Sequence, residues 1–131
     1  MPSIFSRIIQ GEIPSFKIAE DENYFAFLDI SPLAKGHTLV VPKKEVDYIF
    51  DIDEKLHEGL WTFSRRVAAA VRKAVPCQRI GIAVIGLEVP HAHIHLIPMN
   101  RVSDMNFGRP KLSIPSVEME LIAASIRKEF I

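Results

Sequence analysis

The 131-residue sequence predicts an α+β domain: an antiparallel sheet of about five strands, one long central helix and a C-terminal helix. Three observations carry that expectation. Short runs rich in β-branched and aromatic residues follow one another closely, at 16–20, 24–29 and 37–41, and recur at 80–85 and 91–97. A single long segment has helical period, with Leu56, Leu60, Phe63, Val67, Ala70 and Ala74 forming one apolar stripe. Strands and helices are segregated along the chain rather than strictly alternating, which argues against a parallel sheet.

The elements follow in order. Ser3 has the residue type of an N-cap, and Ile4, Phe5, Ile8 and Ile9 share a face of a short helix that runs through Gln10 and is ended by Gly11. The polar turn Asp21-Glu22-Asn23 joins the strands at 16–20 and 24–29, and Pro32 to Gly36 is a loop. The strand at 37–41 is closed by Pro42. Asp51 and Glu54 have the spacing of a capping box for the long helix, which Pro76 stops. The strands at 80–85 and 91–97 come next, the second bracketed by Pro90 and Pro98. After an irregular stretch, residues 116–130 form a closing amphipathic helix.

Length and composition suit one domain over residues 1–131. Hydrophobic residues make up 48% and charged residues 24%, enough for an ordinary core without disulfide support; the lone Cys77 can form no intrachain disulfide. Sixteen basic against sixteen acidic residues give zero formal charge, which argues against nucleic acid or an anionic membrane as partner. The opening segment has no charged stretch followed by a long apolar run, and no stretch approaches the ~20 apolar residues of a membrane span. A cytoplasmic protein is therefore expected.

The chemistry concentrates in His91-Ala92-His93-Ile94-His95. Successive strand side chains point to opposite faces, so an extended run places the three histidines on one side, roughly 6.5–7 Å apart, with Ala92, Ile94 and Leu96 on the other. Three readings stand open on this pattern. The histidines are hydrogen-bonded structural groups; or they ligate a metal, as His-x-His pairs on strands do; or one neutral imidazole attacks phosphorus while its neighbours position the phosphate. Cys77 is isolated and no carboxylate flanks the run. His57 and the Lys43-Lys44 pair read as surface residues, and Trp61 as helix-edge packing.

Residues 3 to 100 resemble the histidine triad (HIT) family of nucleotide hydrolases and transferases. The resemblance rests on four blocks in order: residues 4–15, Ala26-Phe27-Leu28-Asp29-Ile30-Ser31-Pro32, Gly36-His37-Thr38-Leu39-Val40-Val41-Pro42-Lys43-Lys44, and His91–Pro98, which matches the His-φ-His-φ-His-φ-φ signature, φ being apolar. It implies a HIT-like fold and a nucleotide hydrolase, nucleoside phosphoramidase-like, that acts at the α-phosphate of a phosphoramidate or phosphoanhydride. His93 would be the nucleophile and form a nucleotidyl-histidine. His91 would hold His93 by a hydrogen bond, His95 would contact the phosphate or leaving group, and His37 would be a fourth site histidine. Asp29 would bind the ribose hydroxyls, and Ile4, Phe5, Ile8, Phe27 and Ile30 would wall the base pocket. The resemblance further implies a purine nucleotide substrate and a homodimer, with no cofactor. A metal-dependent hydrolase and a nucleotide-binding module with weak turnover remain the alternatives.

Three departures from the family pattern stand out. Ser3 and Ser6 occupy the places of two cysteines, and Glu45 that of a histidine, in members with a structural zinc, so none is expected here. The loop before the triad is short, with Leu87 at a glutamine position and Glu88 where a small polar phosphate contact often lies. The last 30 residues match no known specificity element.

Overall fold

The computed structural model describes residues 2–131. Its sheet is built from β1 (Lys17–Glu20), β2 (Tyr24–Leu28), β3 (Thr38–Pro42), β4 (Arg79–Ala83) and β5 (Ile94–Met99), in spatial order β1-β2-β3-β5-β4 with every neighbour antiparallel. The helices are α1 (Ile4–Ile9), α2 (Glu54–Ala74) and α3 (Ser116–Glu129). The predicted fold class, a five-stranded antiparallel sheet with a long central helix and a C-terminal helix, is the one observed.

Strand alternation divides the molecule in two. On one face Tyr24, Ala26, Leu28, Val40, Ile94 and Leu96 meet Leu60, Phe63, Val67, Ala70 and Val71 of α2 and Met119, Ala123 and Ile126 of α3. Leu60, Val67, Ile94 and Leu96 are fully excluded from water, and each such aliphatic side chain contributes roughly 1.5–3 kcal/mol by burial. The intervening residues, Phe25, Phe27, Leu39 and Val41, form a smaller cluster on the opposite face, closed by Phe5 of α1. That second face carries the site.

Local chemistry sets the ends of the elements. Ser3 caps α1, its Oγ accepting from the Ser6 amide at 3.0 Å, and Gly11 leaves the helix in the left-handed region that its missing Cβ allows. Asp21 closes the β1–β2 turn by accepting from the amides of Asn23 and Tyr24. The expected capping box at the start of α2 is corrected. Asp53 is the cap, accepting from the Leu56 amide at 3.1 Å, whereas Asp51 ends a 3-10 turn, Ile49–Asp51. Buried Ile52 intervenes in extended conformation and fixes the order of the two devices.

Two strand boundaries also differ from expectation. β4 ends at Ala83, and β5 begins only at Ile94. His91 and His93 therefore lie on the lead-in to β5 and only His95 within its ladder, so the row of three on one strand is corrected. The lead-in is tied by the Ala92 amide to the Val46 carbonyl (2.7 Å) and by the His91 amide to Val89 (2.8 Å). Pro42 ends β3 beyond the last residue paired with β5, where no ladder donor is needed on that side. No described helix is long and apolar enough to cross a membrane.

Candidate active site

Main-chain groups determine which nitrogen of each histidine carries its proton. A backbone amide can only donate and a carbonyl only accept. The Leu33 amide donates to His37 Nδ1 (3.0 Å), so the proton of neutral His37 is on Nε2, from which it is donated to His95 Nδ1 (2.9 Å). The proton of neutral His95 is then on Nε2. In the opposite sense, His93 Nδ1 donates to the carbonyl of His91 (2.7 Å), leaving a lone pair on His93 Nε2. His91 Nε2 donates to the Pro42 carbonyl (2.8 Å), and its Nδ1 accepts from the Ser3 hydroxyl (2.7 Å). His91 thus holds His93 through its backbone, while its own ring faces away.

All four rings are buried, between 0% and 8% exposed. Burial disfavours the charged form and pushes all four histidines below their ordinary range. His37 falls to about 3 and His95 to about 4, helped by the repulsion of neighbouring rings and, at His37, of Lys111. Neutral imidazoles at pH 7 are the state that the hydrogen bonds require. Burial also raises the Asp29 carboxyl, against the Ser31 amide, which donates to its Oδ1 at 2.9 Å.

His37, His93 and His95 open on a cavity of ≈ 390 Å³, within the roughly 300–1,000 Å³ usual for small-molecule sites. Ile4, Phe5, Asp29 and Glu88 line it as well. Phe5 stands edge-on to His93 at 4.9 Å between ring centres, and His93 edge-on to His95 at 4.9 Å. The other expected wall residues are elsewhere. Phe27 lies behind Phe5 (5.5 Å, edge-on), Ile8 packs on the same apolar cluster, and Ile30 is 73% exposed outside the cavity.

Residues 106–112 bring in what sequence reasoning passed over. Phe107 stands edge-on to His95 at 4.9 Å and to His37 at 6.3 Å, and Lys111 joins the lining. The Lys111 ammonium donates to the Phe107 carbonyl (2.6 Å) and the Arg109 carbonyl (3.3 Å), while the Leu112 amide donates to the Pro32 carbonyl (2.9 Å). The signal available in the sequence was faint: one aromatic and one lysine in a stretch without period.

Two donor sets bear on metals. Asp29, His37 and His95 each offer an atom within 4.8 Å of the others. However, His37 Nε2 and His95 Nδ1 share a proton at 2.9 Å, leaving no space for an ion between them. The second set is Ser3, Ser6, Glu45 and His91. Ser6 Oγ donates to Glu45 (2.6 Å), the Ser3 amide donates to the same carboxylate oxygen (2.8 Å), and these bonds hold Glu45 below the usual carboxylate range. Hydroxyls already engaged, with no thiolate beside them, do not fit zinc.

The model of the HIT domain family matches residues 10–102. The chain belongs to the HIT family. This HIT protein is 39% identical over 97 residues to the adenosine 5'-monophosphoramidase of Saccharomyces cerevisiae, covering 72% of this chain and 61% of the yeast one. Among solved structures, a HIT-like protein of Bartonella henselae superposes with a TM-score of 0.84 at 32% identity, covering 98% of this chain and 96% of that one. A zinc-bound histidine triad protein of Mycobacterium smegmatis superposes at 0.80 with 30% identity, covering 96% and 91%. Over its HIT domain the present chain thus shares a fold with a zinc-bound relative, while carrying serines and a glutamate in a hydrogen-bonded cluster beside His91.

Proposed function

We propose that this HIT protein hydrolyses a purine nucleotide at its α-phosphate through a nucleotidyl-His93 intermediate, the substrate being a nucleoside phosphoramidate or phosphoanhydride. The observation that carries the reading is the lone pair on His93 Nε2, fixed by the 2.7 Å bond from Nδ1 to the His91 carbonyl, on a ring that lines the cavity and stands edge-on to His95 at 4.9 Å between ring centres. In the first step the Nε2–P bond forms as the bond to the leaving group breaks, and the leaving group departs with the electron pair. In the second, water attacks phosphorus and gives up a proton to solvent, the N–P bond breaks, and the lone pair returns to His93. His95 Nε2–H donates to a phosphate oxygen, and His37 fixes its tautomer. Asp29 accepts from the ribose hydroxyls, and Ile4 and Phe5 wall the base, with Phe27 and Ile8 behind them. The yeast phosphoramidase relative supports the reaction class.

Intact-protein mass spectrometry after rapid quench tests this reading. One nucleotidyl adduct is expected on the wild type and none on His93→Ala; activity that survives in that variant without an adduct refutes the mechanism. A second reading, a nucleotide-binding module with weak turnover, draws on Glu88, whose negative charge lines the same cavity and acts on His93. It predicts tight nucleotide binding with a rate barely above that of His93→Ala.

We further propose a homodimer. β4 is an outermost strand, Ile82 on it is 52% exposed, and Tyr48, Phe50 and Trp61 line an adjoining cavity of ≈ 510 Å³.

A further inference from the structure

Four rings stand in succession along the floor of the cavity: Phe5, His93, His95 and Phe107, with 4.9 Å between the centres of each neighbouring pair. The nucleophile sits second in that succession. Phe5 lies on one side of it, and His95 with the segment 106–112 lies on the other. The Lys111 ammonium is tied to the carbonyl of Phe107, the last ring, so it belongs to the end remote from Phe5. Among the described residues that line the cavity, Lys111 is the one permanent cation, set against the carboxylates of Asp29 and Glu88.

Its position is built rather than incidental. Two carbonyls take two of its three donors, at 2.6 and 3.3 Å, and the side chain lines the cavity. The segment that carries it is braced by Leu112 to Pro32, by Arg109 to Asp104 (3.4 Å) and to the Ser103 carbonyl (2.9 Å), and by the Gly108 amide to Asn106 Oδ1 (2.9 Å). Its charge is felt at His37 and at Asp29.

We propose that Lys111 receives the leaving group, and that this site is selective for nucleotides whose α-phosphate is joined to a second anionic group, as in a nucleoside diphosphate. This rests on the function proposed above. When His93 Nε2 bonds to the α-phosphorus, the bridging P–O bond breaks and the electron pair goes to the oxygen of the departing phosphate. A terminal phosphate that keeps its own acidic proton leaves as hydrogen phosphate, with its charge against the Lys111 ammonium, and takes no proton from the protein. Water then attacks phosphorus, releasing the nucleoside monophosphate and passing its proton to solvent.

The polarity of the histidines agrees. His95 is fixed as a neutral donor, because the Leu33 amide sets His37, and His37 sets His95. It can hydrogen-bond an oxygen but cannot supply a proton without disrupting that chain. Either leaving group must therefore bring its own proton, an amine as the nitrogen-protonated phosphoramidate and a terminal phosphate as the hydrogen phosphate it becomes, and what the protein adds to the departing phosphate is the charge of Lys111.

The test is the ratio of kcat/KM for adenosine 5'-diphosphate to kcat/KM for adenosine 5'-phosphoramidate, measured on wild type, Lys111→Gln and Lys111→Arg. Removing a charged donor from a phosphate should lower the ratio about 10- to 100-fold in Lys111→Gln. Lys111→Arg should restore most of it. A ratio that does not change in Lys111→Gln, even with both rates reduced, overturns the proposal and makes Lys111 a residue that only positions Asp29 or His37. Should the wild type turn over neither compound, the hydrolase reading fails by itself. Calorimetry then decides Lys111: the preference for adenosine 5'-diphosphate over adenosine 5'-monophosphate must be present in wild type and lost in Lys111→Gln, and equal preference in the two proteins rejects the assignment.

Discussion

Acidification from pH 6.5 to pH 5 should destabilise this protein before any carboxylate pair with a lowered pKa is neutralised. His37 and His95 are held neutral by burial, with pKa values pushed from 6.5 down to about 3 and about 4. In the unfolded chain both return to the ordinary value. The unfolded state therefore binds more protons than the folded one throughout this window, and stability rises with pH across it. The stability is fully present above pH 6.5 and is lost as pH falls toward the folded-state values. At pH 5 each unfolded imidazole is almost fully protonated while its folded counterpart is still neutral. Integrating the linkage gives about 1.6 kcal/mol for each ring between pH 6.5 and 5, or about 3 kcal/mol for the pair. His91 and His93, also lowered by burial, act in the same direction, whereas Asp29, raised by burial, opposes them. Urea unfolding followed by Trp61 fluorescence at half-unit steps from pH 7 to 5 measures the change. A loss below about 1 kcal/mol across the window would mean that the rings are protonated in the folded state. The hydrogen-bond polarity assigned to the site would then be wrong.

Ser3→Ala removes two bonds at once, the cap on the Ser6 amide and the donor to His91 Nδ1. It should cost about 1–2 kcal/mol in the same urea assay, and a loss within error would show that the serine is not used. Sedimentation equilibrium should give twice the 14.8 kDa chain mass. Ile82→Glu should shift it toward the single chain, and a wild type that sediments as one chain at high micromolar concentration rules the homodimer out.

The sequence was informative where a regular period or a short motif controls structure. The stripe from Leu56 to Ala74 placed α2 because one face of a helix must be buried, and its residues are the ones that meet β2, β3 and β5. The His-x-His-x-His pattern pointed to the candidate site because Ala92, Ile94 and Leu96 fill the apolar face whether or not ladder bonds have begun. Sequence gave less where two residues compete for one role, as Asp51 and Asp53 do, since a buried Ile52 between them decides the outcome only in three dimensions. Phe107 and Lys111 were barely legible. They reach the cavity by a fold-back tied to Pro32, a contact across 80 positions that leaves no local pattern. Ser3 was read as a helix cap, and both Ser3 and Ser6 as replacements for zinc ligands; their bonds to His91 and Glu45 become visible only in the structure.

The proton arrangement of the site originates in three main-chain groups: the amide of Leu33 and the carbonyls of Pro42 and His91. Side chains at these positions can be exchanged without altering the direction in which a peptide group donates or accepts. The orientation of donors and lone pairs is therefore inherited with the path of the chain rather than with the identity of particular residues. Variation can reshape the cavity at Ile4, Glu88 or Lys111 and so change what is admitted. The nitrogen presented to the cavity stays the same for as long as the backbone keeps its course.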